Sequence, residues 1–386
     1  MKILTIDIGT GTQDIFLYDS RLDLENGFKL VVPSPTMIVR YHLKEATRNK
    51  EAVLLSGVIM GGGPSTWAAE DHLRAGLPLY ATPEAARTFN DDLETVKEMG
   101  VTLVSEDEAV HLPSSVQRIH MADFDFASIR RSLEPFGVSL AGLAAVAVAV
   151  FDHGNSPPDY SDRQFRFDYL DARIRQHNRL AAFAYPAEAV PPIMTRLRAV
   201  VKAARAAGDP LLDETPLVVM DTAPAAVLGA TYDPQVTRRQ RIMVANVGNF
   251  HTLAFRLGPG GIEGVFEHHT GFLTQTRLDG LLLALADGKL KHTDVFDDNG
   301  HGALVYESEP LTISDAEPVV VTGPRRSMMK GSRLNPYFAV PFGDMMIAGC
   351  FGLLAATADV MPELAEPIQA SLAGGGGSGT PPWEIE

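Results

Sequence analysis

A strand, a glycine turn and a second strand occur twice in this chain, once near the N-terminus and once after residue 240. The first copy, at residues 5–19, reads TIDIGTGTQDIFLYD, and the second, at residues 243–257, reads MVANVGNFHTLAFRL. Apolar runs on both sides of a glycine turn are typical of a β-hairpin. In each copy an acid or amide precedes the glycine by two positions, Asp7 in one and Asn246 in the other. The repeat predicts two related domains, and its period is far longer than that of a solenoid.

The length supports two domains, because 386 residues exceed what one hydrophobic core usually accommodates. We place the first domain at residues 1–212, with a helical insertion, and the second at 213–373. Strand and helix patterns alternate along the chain, which indicates an α/β fold. The glycine-rich segment 374–386 resembles a linker and is predicted to be a flexible tail.

Charge and composition exclude several functions. The net charge of −15 argues against binding to nucleic acids and to anionic membranes. No apolar run reaches the roughly 18 residues of a membrane span, and no secretory signal is recognisable, so we expect a cytoplasmic protein. Cys350 is the single cysteine, which excludes an internal disulfide and a cysteine-only iron–sulfur or zinc site within one chain.

Local patterns predict further elements around the hairpins. Residues 29–32 and 36–41 are β-rich and predict another pair of strands. Three glycines at 61–63, followed by Pro64, predict a turn that opens a helix. The segment 160–208 is rich in Arg and Ala and predicts a mostly helical stretch.

Five motifs in fixed order resemble those of the actin, heat-shock-70 and sugar-kinase superfamily. They are a first phosphate loop DIGTGTQD (7–14), a first connecting helix DTAPAAVLGA (221–230), a second phosphate loop NVGNFHT (246–252), an adenosine motif VVVTGPRRS (319–327) and a second connecting helix GDMMIAGCFGLLAA (343–356). The resemblance spans nearly the whole chain. It implies an α/β protein of two RNase H-like, actin-like ATPase domains with a nucleotide cleft between them, and ATP and Mg²⁺ as cofactors.

Three shorter motifs resemble a prokaryotic family whose members are sometimes labelled pyruvate formate-lyase activating enzymes. They are DHG at 152–154, SDRQFRF at 161–167 and EHHTG at 267–271. A radical-SAM activase needs a CxxxCxxC motif, which a chain with one cysteine lacks. The ATP-driven dehydratase activators share an iron–sulfur cluster with two cysteines from each subunit, and one cysteine does not match that pattern either.

The first glycine turn has the chemistry of a phosphate site. Gly9 and Gly11 allow a close approach of the backbone, and the hydroxyls of Thr10 and Thr12 can donate hydrogen bonds to phosphate oxygens. A bare carboxylate repels phosphates, so Asp7 makes sense there only beside Mg²⁺, which we expect it to hold through metal-bound waters. A tight hairpin whose turn Asp7 caps is the structural alternative.

Gln13 and Asp221 are the candidate catalytic residues on the nucleotide side. Gln13 is within reach of the phosphates and could position a water or the γ-phosphate. The resemblance implies that Asp221 orients an attacking water. The alternative is that Asp221 caps the helix that starts near Ala223.

The second glycine turn departs from the superfamily pattern. The superfamily usually has Asp where this chain has Asn246, and Gly-Gly where it has Asn249 and Phe250. Gly248, Asn249 and Thr252 remain candidates for contact with phosphate. The lost carboxylate weakens the metal site that the resemblance implies.

The adenosine motif contains one glycine and two arginines. Gly323 would allow the base and ribose to approach, and Arg325 or Arg326 could stack on adenine. A solvated basic turn is the alternative.

The acceptor side of the cleft is predicted from the segment that follows a buried strand at 144–151. Strand ends of this kind face the ligand crevice in α/β sheets, so Asp152 is the candidate general base for an acceptor hydroxyl. The candidates for substrate binding are a loop suited to an anion, two arginines that could clamp a carboxylate or phosphate, and one histidine: Gly61, Gly62, Gly63, Ser65, Arg163, Arg166 and His153. An Asx turn, a capped helix and surface salt bridges are the structural alternatives.

Five histidines lie in glycine-rich or polar turns: His153, His251, His268, His269 and His301. Neutral imidazoles bind transition metals. No two of the five have the i, i+4 spacing of a helical site, and adjacent side chains in a strand point apart. We therefore prefer hydrogen-bonding loop histidines to a metal site.

The residues together predict ATP- and Mg²⁺-dependent phosphoryl transfer to an unknown small molecule or to water, with domain closure over the nucleotide. The first alternative is a nucleotide-switched activator, whose domain angle a partner protein reads without turnover of a small molecule. A degenerate protein that binds a ligand without turnover is the second, and Asn246 supports it. We expect a nucleotide and a small molecule as partners, no nucleic acid and no membrane, and leave a homo-oligomer open.

Overall fold

The computed structural model describes residues 1–375 and 381–384, and residues 376–380 and 385–386 of the predicted tail lie outside the described residues. The strands are β1 Lys2–Ile8, β2 Thr12–Asp19, β3 Phe28–Pro33, β4 Val53–Gly57, β5 Leu79–Ala81, β6 Thr102–Leu103, β7 Gln117–Met121, β8 Leu143–Val150, β9 Ala184–Pro186, β10 Leu217–Asp221, β11 Ile242–Val247, β12 His251–Gly258, β13 Gly261–His269, β14 Gly302–Val305, β15 Val320–Thr322 and β16 Tyr337–Phe338. The α-helices are α1 Pro35–Asn49, α2 Pro64–Arg74, α3 Pro83–Ala86, α4 Leu93–Glu98, α5 Glu106–His111, α6 Phe126–Leu133, α7 Asp162–Gln176, α8 Thr195–Ala206, α9 Pro210–Asp213, α10 Thr222–Ala230, α11 Gln275–Ala286, α12 His292–Phe296, α13 Ala348–Val360 and α14 Ala365–Ala370. Within the described residues, no single helix is long and apolar enough to cross a membrane; the segments Ala348–Val360 and Pro362–Gly374 pass that test only as a pair bent by 116°.

The first sheet has six strands in the order β3-β2-β1-β8-β10-β9. Strands β1 to β3 form an antiparallel meander, and β8 and β10 lie parallel to β1 on its other side. Strand β8 reads LAAVAVAV and is fully buried from Ala145 to Val150. Its apolar run does not alternate with polar residues because the sheet is covered on both faces, as parallel strands usually are.

The second sheet repeats this plan in the order β14-β13-β12-β11-β15-β16. Strands β11, β12 and β13 form the antiparallel meander, and β15 and β16 add in parallel beyond β11. A three-stranded meander with parallel strands added on the far side of its first strand is the RNase H-like topology. The two RNase H-like domains that the superfamily resemblance implies are therefore confirmed.

The predicted domain boundary at residue 212 falls too early. Strand β10 comes after it, yet it pairs with β8 in the first sheet. Strand β10 is the last parallel strand of the first sheet. The first domain therefore extends at least to the end of β10.

An unpredicted α/β unit is inserted between β3 and β8. Its four strands, in the order β6-β5-β4-β7, are all parallel. They have a separate apolar core that includes Val53, Leu55, Leu79 and Ile119. The stretch predicted at 160–208 is mostly helical, as expected, and consists chiefly of α7 and α8 with the edge strand β9 between them.

The strand predicted at residues 36–41 is wrong, because this segment forms the first half of α1. Pro35 occupies the first turn of the helix, where its missing N–H costs nothing. The buried positions Val39, Leu43 and Ala46 recur at three- and four-residue spacing. The burial gained by a helix with this apolar period outweighs the preference of the β-branched residues in the segment for a strand.

Helices α10 and α13 cross closely and join the two domains. A Cβ atom on Gly229 would overlap the carbonyl of Ala348, and one on Gly352 would overlap the carbonyl of Ala225. Helix α13 packs against β1 of the first sheet, and α10 packs against β11 of the second. The crossing therefore sets the distance between the two sheets.

We expect Gly352→Ala to destabilise the protein by about 1–3 kcal/mol or more, because the added methyl group meets a backbone carbonyl rather than a movable side chain. Thermal and denaturant unfolding measure the change.

Gly280→Ala in α11 is the matched control, because nothing lies within 4 Å of the methyl group that it adds. It should leave the stability unchanged or raise it by up to about 1 kcal/mol, since alanine favours a helix over glycine. Equal stability of the two variants would contradict the close crossing.

Candidate functional site

One cavity of about 340 Å³ lies where the two domains and the insertion meet. This volume is within the range of small-molecule sites, about 300–1,000 Å³. Both glycine turns line it, the first through Gly9, Thr10 and Thr12 and the second through Gly248 and Asn249. The repeated hairpins therefore present their turns to the same space.

The two turns have equivalent geometry. The N–H of Gly9 donates to the carbonyl of Thr12 at 2.9 Å, and that of Gly248 donates to the carbonyl of His251 at 3.0 Å. The turns also come close to each other, since a Cβ atom on Gly11 would lie 2.5 Å from Asn249 Nδ2. No side chain fits at position 11 without moving the opposite turn.

Two buried carboxylates stand at the wall of the cavity beside the first turn. Asp7 and Asp14 are direct partners in the β1–β2 register, and both line the cavity. Burial raises the pKa of Asp7 to about 7, although the Thr222 hydroxyl, which donates a hydrogen bond to it, acts in the opposite direction. Burial and the charge of Asp7 raise the pKa of Asp14 to about 8. One oxygen, Asp14 Oδ1, is buried without a hydrogen-bond partner.

Asp14 was not among the predicted site residues. The pairing of the hairpin could have revealed it, because Asp7 and Asp14 are equally far from the centre of the turn. A Cβ atom on Gly349 would overlap the carboxylate of Asp7. The start of α13 can therefore lie against this carboxylate only because residue 349 is glycine.

The adenosine motif lines the opposite part of the cavity with Thr322, Gly323 and Pro324. Met345 and Met346, which precede α13, complete this part with flexible apolar side chains. Gly323 has a φ of +97°, a backbone conformation that favours glycine. The predicted contact between Gly323 and the base and ribose of a nucleotide is compatible with this position. Met345 and Met346 were not predicted as site residues.

Three side chains predicted to contact the nucleotide lie outside the lining of this cavity, as does Gly11. The amide of Gln13 donates to the carbonyl of Pro33 at 3.1 Å. The hydroxyl of Thr252 is buried and lies 2.9 Å from that of Thr270, which directly follows β13. Arg325 is exposed and is not among the lining residues. Their predicted contacts with a nucleotide are therefore not supported by their positions.

The glycine-rich loop of the insertion forms the acceptor-side wall. Gly61, Gly62 and Gly63 all line the cavity ahead of α2. An unpredicted ion pair accompanies them, with Arg196 Nε donating to Asp123 Oδ2 at 2.6 Å. The N–H of Gly61 donates to Asp123 Oδ1 at 3.1 Å, so the carboxylate ties the loop to the arginine.

Two other predicted substrate residues serve the structure instead. Ser65 is fully buried, and its hydroxyl faces the carbonyl of Gly61 at 3.4 Å. Arg163 donates to the carbonyl of Phe296 at 3.0 Å. Neither side chain lines the cavity, so the predicted anion contact at Ser65 and clamp at Arg163 are not supported.

The position of Asp152 does not support its predicted role as a general base. The carboxylate is buried, and its two oxygens accept hydrogen bonds from the N–H groups of Gly154 and Leu197, both at 2.8 Å. Asp152 thus holds its own loop against the start of α8, which is the structural alternative. His153, the next residue, is exposed and lines the cavity.

Arg166 is fully buried and pairs with two carboxylates from different domains. Its Nη1 donates to Asp221 Oδ2 and its Nε donates to Glu267 Oε2, both at 2.6 Å. Nη1 also donates to the carbonyl of Asp152, and the guanidinium lies over the ring of Phe151. Arg166 is therefore an internal link rather than the predicted substrate clamp.

Asp221 is engaged in the same link. Its Oδ1 accepts the N–H of Ala223 at 3.0 Å, so it caps α10, while Oδ2 is paired with Arg166. Burial raises the pKa of Asp221 although the Arg166 charge lowers it. Both oxygens of Asp221 accept hydrogen bonds, and the residue does not line the cavity. The side chain therefore matches the alternative of a helix cap rather than the role of orienting a water.

Three histidines meet behind the second glycine turn. The rings of His251, His269 and His301 have centroids 4.7–5.0 Å apart. Burial lowers the pKa of all three, to well below its usual value for His251 and to about 2 for His301. His268, beside His269 in β13, turns the other way, with Nε2 3.5 Å from Asp298 Oδ2. The prediction that the side chains of His268 and His269 point apart is correct. His269 nevertheless joins two histidines from other parts of the second sheet.

We expect Arg166→Met to destabilise the protein by about 3–5 kcal/mol, because it leaves Asp221 and Glu267 buried without a counter-charge. Arg175→Met is the control on the same helix. Arg175 is 67% exposed and pairs with Asp171, so its loss should cost less than about 1 kcal/mol. Thermal unfolding compares the two, and equal changes would contradict a buried link.

Asp14→Asn should stabilise the protein at pH 8 by more than about 1 kcal/mol in the absence of divalent cations. The native pKa of Asp14 is raised from 3.8 to about 8, so the native state loses stability as pH rises through this interval. The substitution removes that loss, and its advantage should vanish near pH 4. Unfolding measured between pH 4 and pH 8 tests this.

Asp19→Asn on the same strand is the control of opposite sign. Burial raises the pKa of Asp19, but hydrogen bonds from Arg21 lower it overall, so its charge stabilises the fold above pH 4. We expect this variant to be less stable than the natural chain at pH 8. If Asp14→Asn also lost stability at pH 8, this would contradict the claim that the charges of Asp7 and Asp14 destabilise the native state.

Comparison with known proteins finds weak structural likeness and one sequence family. The protein is similar to the ethanolamine utilization protein EutJ from Carboxydothermus hydrogenoformans, with 12% identity and a TM-score of 0.31 over 92% of this chain and 89% of that one. It is similar to the activator of 2-hydroxyisocaproyl-CoA dehydratase from Clostridium difficile with bound ADPNP, with 9% identity and a TM-score of 0.33 over 95% and 98%. The ROK hexokinase from Thermus thermophilus has 12% identity and a TM-score of 0.23 over 68% and 48%. The fold assignment depends on the strand order rather than on these scores.

A search of curated proteins finds no match to the sequence. Residues 60–328, more than half of the chain, match a family described as "Putative pyruvate format-lyase activating enzyme (DUF1786)". The match includes the glycine-rich loop of the insertion, the Arg166 link and all three clustered histidines. The chain belongs to this family.

Proposed function

We propose that the protein binds a nucleoside triphosphate with Mg²⁺ in this cavity and transfers its terminal phosphoryl group to a small molecule or to water. The observation that carries the proposal is the pair of equivalent glycine turns that face one cavity, each closed by the same backbone hydrogen bond. Glycine turns of this kind bring backbone dipoles and hydroxyls close to phosphate oxygens. One turn from each domain allows the phosphates to bridge the domains.

The polar groups at the turns match a phosphate chain. The hydroxyls of Thr10 and Thr12 stand on one side of the cavity, and the amide of Asn249 stands on the other. All three can donate hydrogen bonds, and none adds a negative charge. The base would lie toward Gly323 and Met345, where the lining is smaller and more apolar.

Asp7 and Asp14 fit a divalent cation. They are buried side by side, the charge of Asp7 contributes to the raised pKa of Asp14, and among the described residues Asp14 Oδ1 has no hydrogen-bond partner. Mg²⁺ prefers oxygen ligands and keeps several waters, so two carboxylates from one hairpin suffice to hold it near phosphates. Asp14 thus replaces the carboxylate lost at Asn246. When bound, the cation neutralises charge on the phosphates.

The acceptor side supports transfer by positioning rather than by a strong base. Phosphoryl transfer has a loose transition state, in which orientation and charge stabilisation supply most of the catalysis. Arg196, held by Asp123, places a cation beside the loop of Gly61. His153 is the exposed titratable group on this wall, and it takes the role of proton acceptor that Asp152 cannot fill.

A nucleotide-switched activator is the second candidate, and one contact favours it. Trp67 of the insertion meets Phe250 of the second turn, with ring centroids 6.0 Å apart, and both rings are partly exposed. Domain movement would break or form this contact at the surface, where a partner could read it. The family description points to an activating enzyme, but the single Cys350 provides no radical-SAM cluster motif.

Calorimetric titration with ATP, with and without Mg²⁺, tests the proposal. We expect binding that depends on Mg²⁺, and Asp7→Asn should weaken it by at least about tenfold, or about 1.4 kcal/mol. Asp213→Asn, an exposed position on α9, is the control and should bind like the natural chain. No binding at millimolar ATP would contradict the proposal.

Formation of ADP then separates the two candidates, because ADP is produced whether the phosphoryl group goes to water or to an acceptor hydroxyl. Turnover, with or without an added hydroxyl compound, supports phosphoryl transfer. Tight Mg²⁺-dependent binding without turnover supports the activator instead. Either result keeps the nucleotide site, because only the titration tests that.

A further inference from the structure

The three clustered histidines come from three separate places in the chain. His251 begins β12, His269 ends β13, and the two are direct partners in the register of these strands. His301 comes immediately before β14 and donates its N–H to the carbonyl of Glu267 at 2.9 Å. Their side chains therefore meet at the same end of the second sheet, and His251 also lines the cavity.

We propose that His251, His269 and His301 bind one transition-metal ion of the Zn²⁺ class, with a coordination position left open toward the cavity. One ring nitrogen from each histidine lies within 4.8 Å of the others. A tetrahedral ion at about 2.0–2.1 Å from each nitrogen would hold them about 3.3 Å apart. Binding would therefore draw the three ring nitrogens closer together. This inference does not depend on the proposed function.

Orphaned polar atoms behind the cluster support the site. Glu267 Oε1, His301 Nδ1 and Arg166 Nη2 are all buried without a hydrogen-bond partner. Such atoms are rare in folded proteins. The structure without a metal leaves these three atoms unsatisfied, so the hydrogen bonds of the ordinary alternative are not formed at them.

Glu267 is placed to orient two of the ligands. Its Oε1 lies 3.4 Å from His251 Nδ1 and 3.7 Å from His301 Nδ1, while Oε2 is fixed by Arg166. A slight contraction would let Oε1 accept from both Nδ1–H groups, which leaves the Nε2 atoms for a metal. Metal-binding histidines usually donate their second N–H to a carboxylate in this way.

A carboxylate beside the cluster makes its surroundings compatible with a cation. Arg166, Asp221 and Glu267 together have a net charge of −1, and the positive charge of Arg163, which also acts on His269 and His301, brings the surroundings close to neutral. The imidazoles add no charge when they are neutral. Imidazole is a ligand for Zn²⁺, Fe²⁺ and similar ions, whereas the carboxylate pair Asp7 and Asp14 suits a hard ion such as Mg²⁺.

Three protein ligands leave one position of a tetrahedral ion free, as in catalytic zinc sites. His251 is the ligand nearest the cavity, and the ring of Phe151 packs against it with centroids 4.3 Å apart. The open position would therefore accept water or an oxygen donor of a small molecule from the cavity side. This predicts that the small-molecule ligand of the cavity has a metal-binding oxygen, such as a carboxylate or hydroxyl group.

Metal titration of the tag-free, metal-stripped chain tests the inference. Zn²⁺ is titrated by calorimetry in millimolar Mg²⁺, which occupies the carboxylate pair, and Co²⁺ is added separately as a spectroscopic probe. We expect one equivalent of Zn²⁺ to bind and Co²⁺ to give the intense visible bands of a four-coordinate nitrogen site. Absence of stoichiometric binding would overturn the proposal.

His269→Asn and His268→Asn form a matched pair, because the residues are adjacent in β13 and their side chains point to opposite sides. His269→Asn should weaken Zn²⁺ binding more than about 100-fold, beyond the 10–100-fold cost of losing an outer-shell partner. His268→Asn should bind within about threefold of the natural chain. Near-ultraviolet circular dichroism confirms that each variant is folded, and His301→Asn replaces His269→Asn if the latter is not. Undiminished binding by both ligand variants, or an equal loss in folded His268→Asn, would overturn the site.

Discussion

The buried guanidinium of Arg166 is the interaction on which the arrangement of the two domains depends. It reaches Asp221 at the end of the first sheet and Glu267 on the third strand of the second sheet's meander. A charge in this position can be tolerated only when both carboxylates are present. The ion pairs therefore hold β10, β13 and α7 together. The close crossing of α10 and α13 at Gly229 and Gly352 sets the distance between the two sheets.

The same link explains why the neighbouring polar groups are divided between structure and function. Asp221 and Asp152 have their carboxylate oxygens engaged by hydrogen bonds within the protein, and neither residue lines the cavity. Asp7 and Asp14 are crowded, partly unsatisfied and open to the cavity, which is the condition for binding a cation. Glu267 combines a structural and a potential functional contact. One of its oxygens pairs with Arg166, and the other is directed at the histidines.

The fold could be predicted to a large extent from local patterns, because glycine turns between apolar runs determine the hairpins of both sheets. The insertion was missed because its four short strands have no such repeat. Site prediction was weaker, since a sequence does not tell a buried arginine from an exposed one. Arg166 meets Glu267, 101 residues away, and the histidine cluster depends on the register of β12 and β13. Asp14, by contrast, could have been found from the symmetry of the first hairpin.

The central claim is that the phosphates of a nucleotide bridge the two glycine turns, with a cation at the carboxylate pair. A crystal structure of the protein with Mg²⁺ and a non-hydrolysable ATP analogue tests this most directly. We expect density for the phosphates between Gly9 and Gly248, and a cation with water ligands beside Asp7 and Asp14. An analogue bound elsewhere, or a cavity without density at a saturating concentration of the analogue, would contradict it.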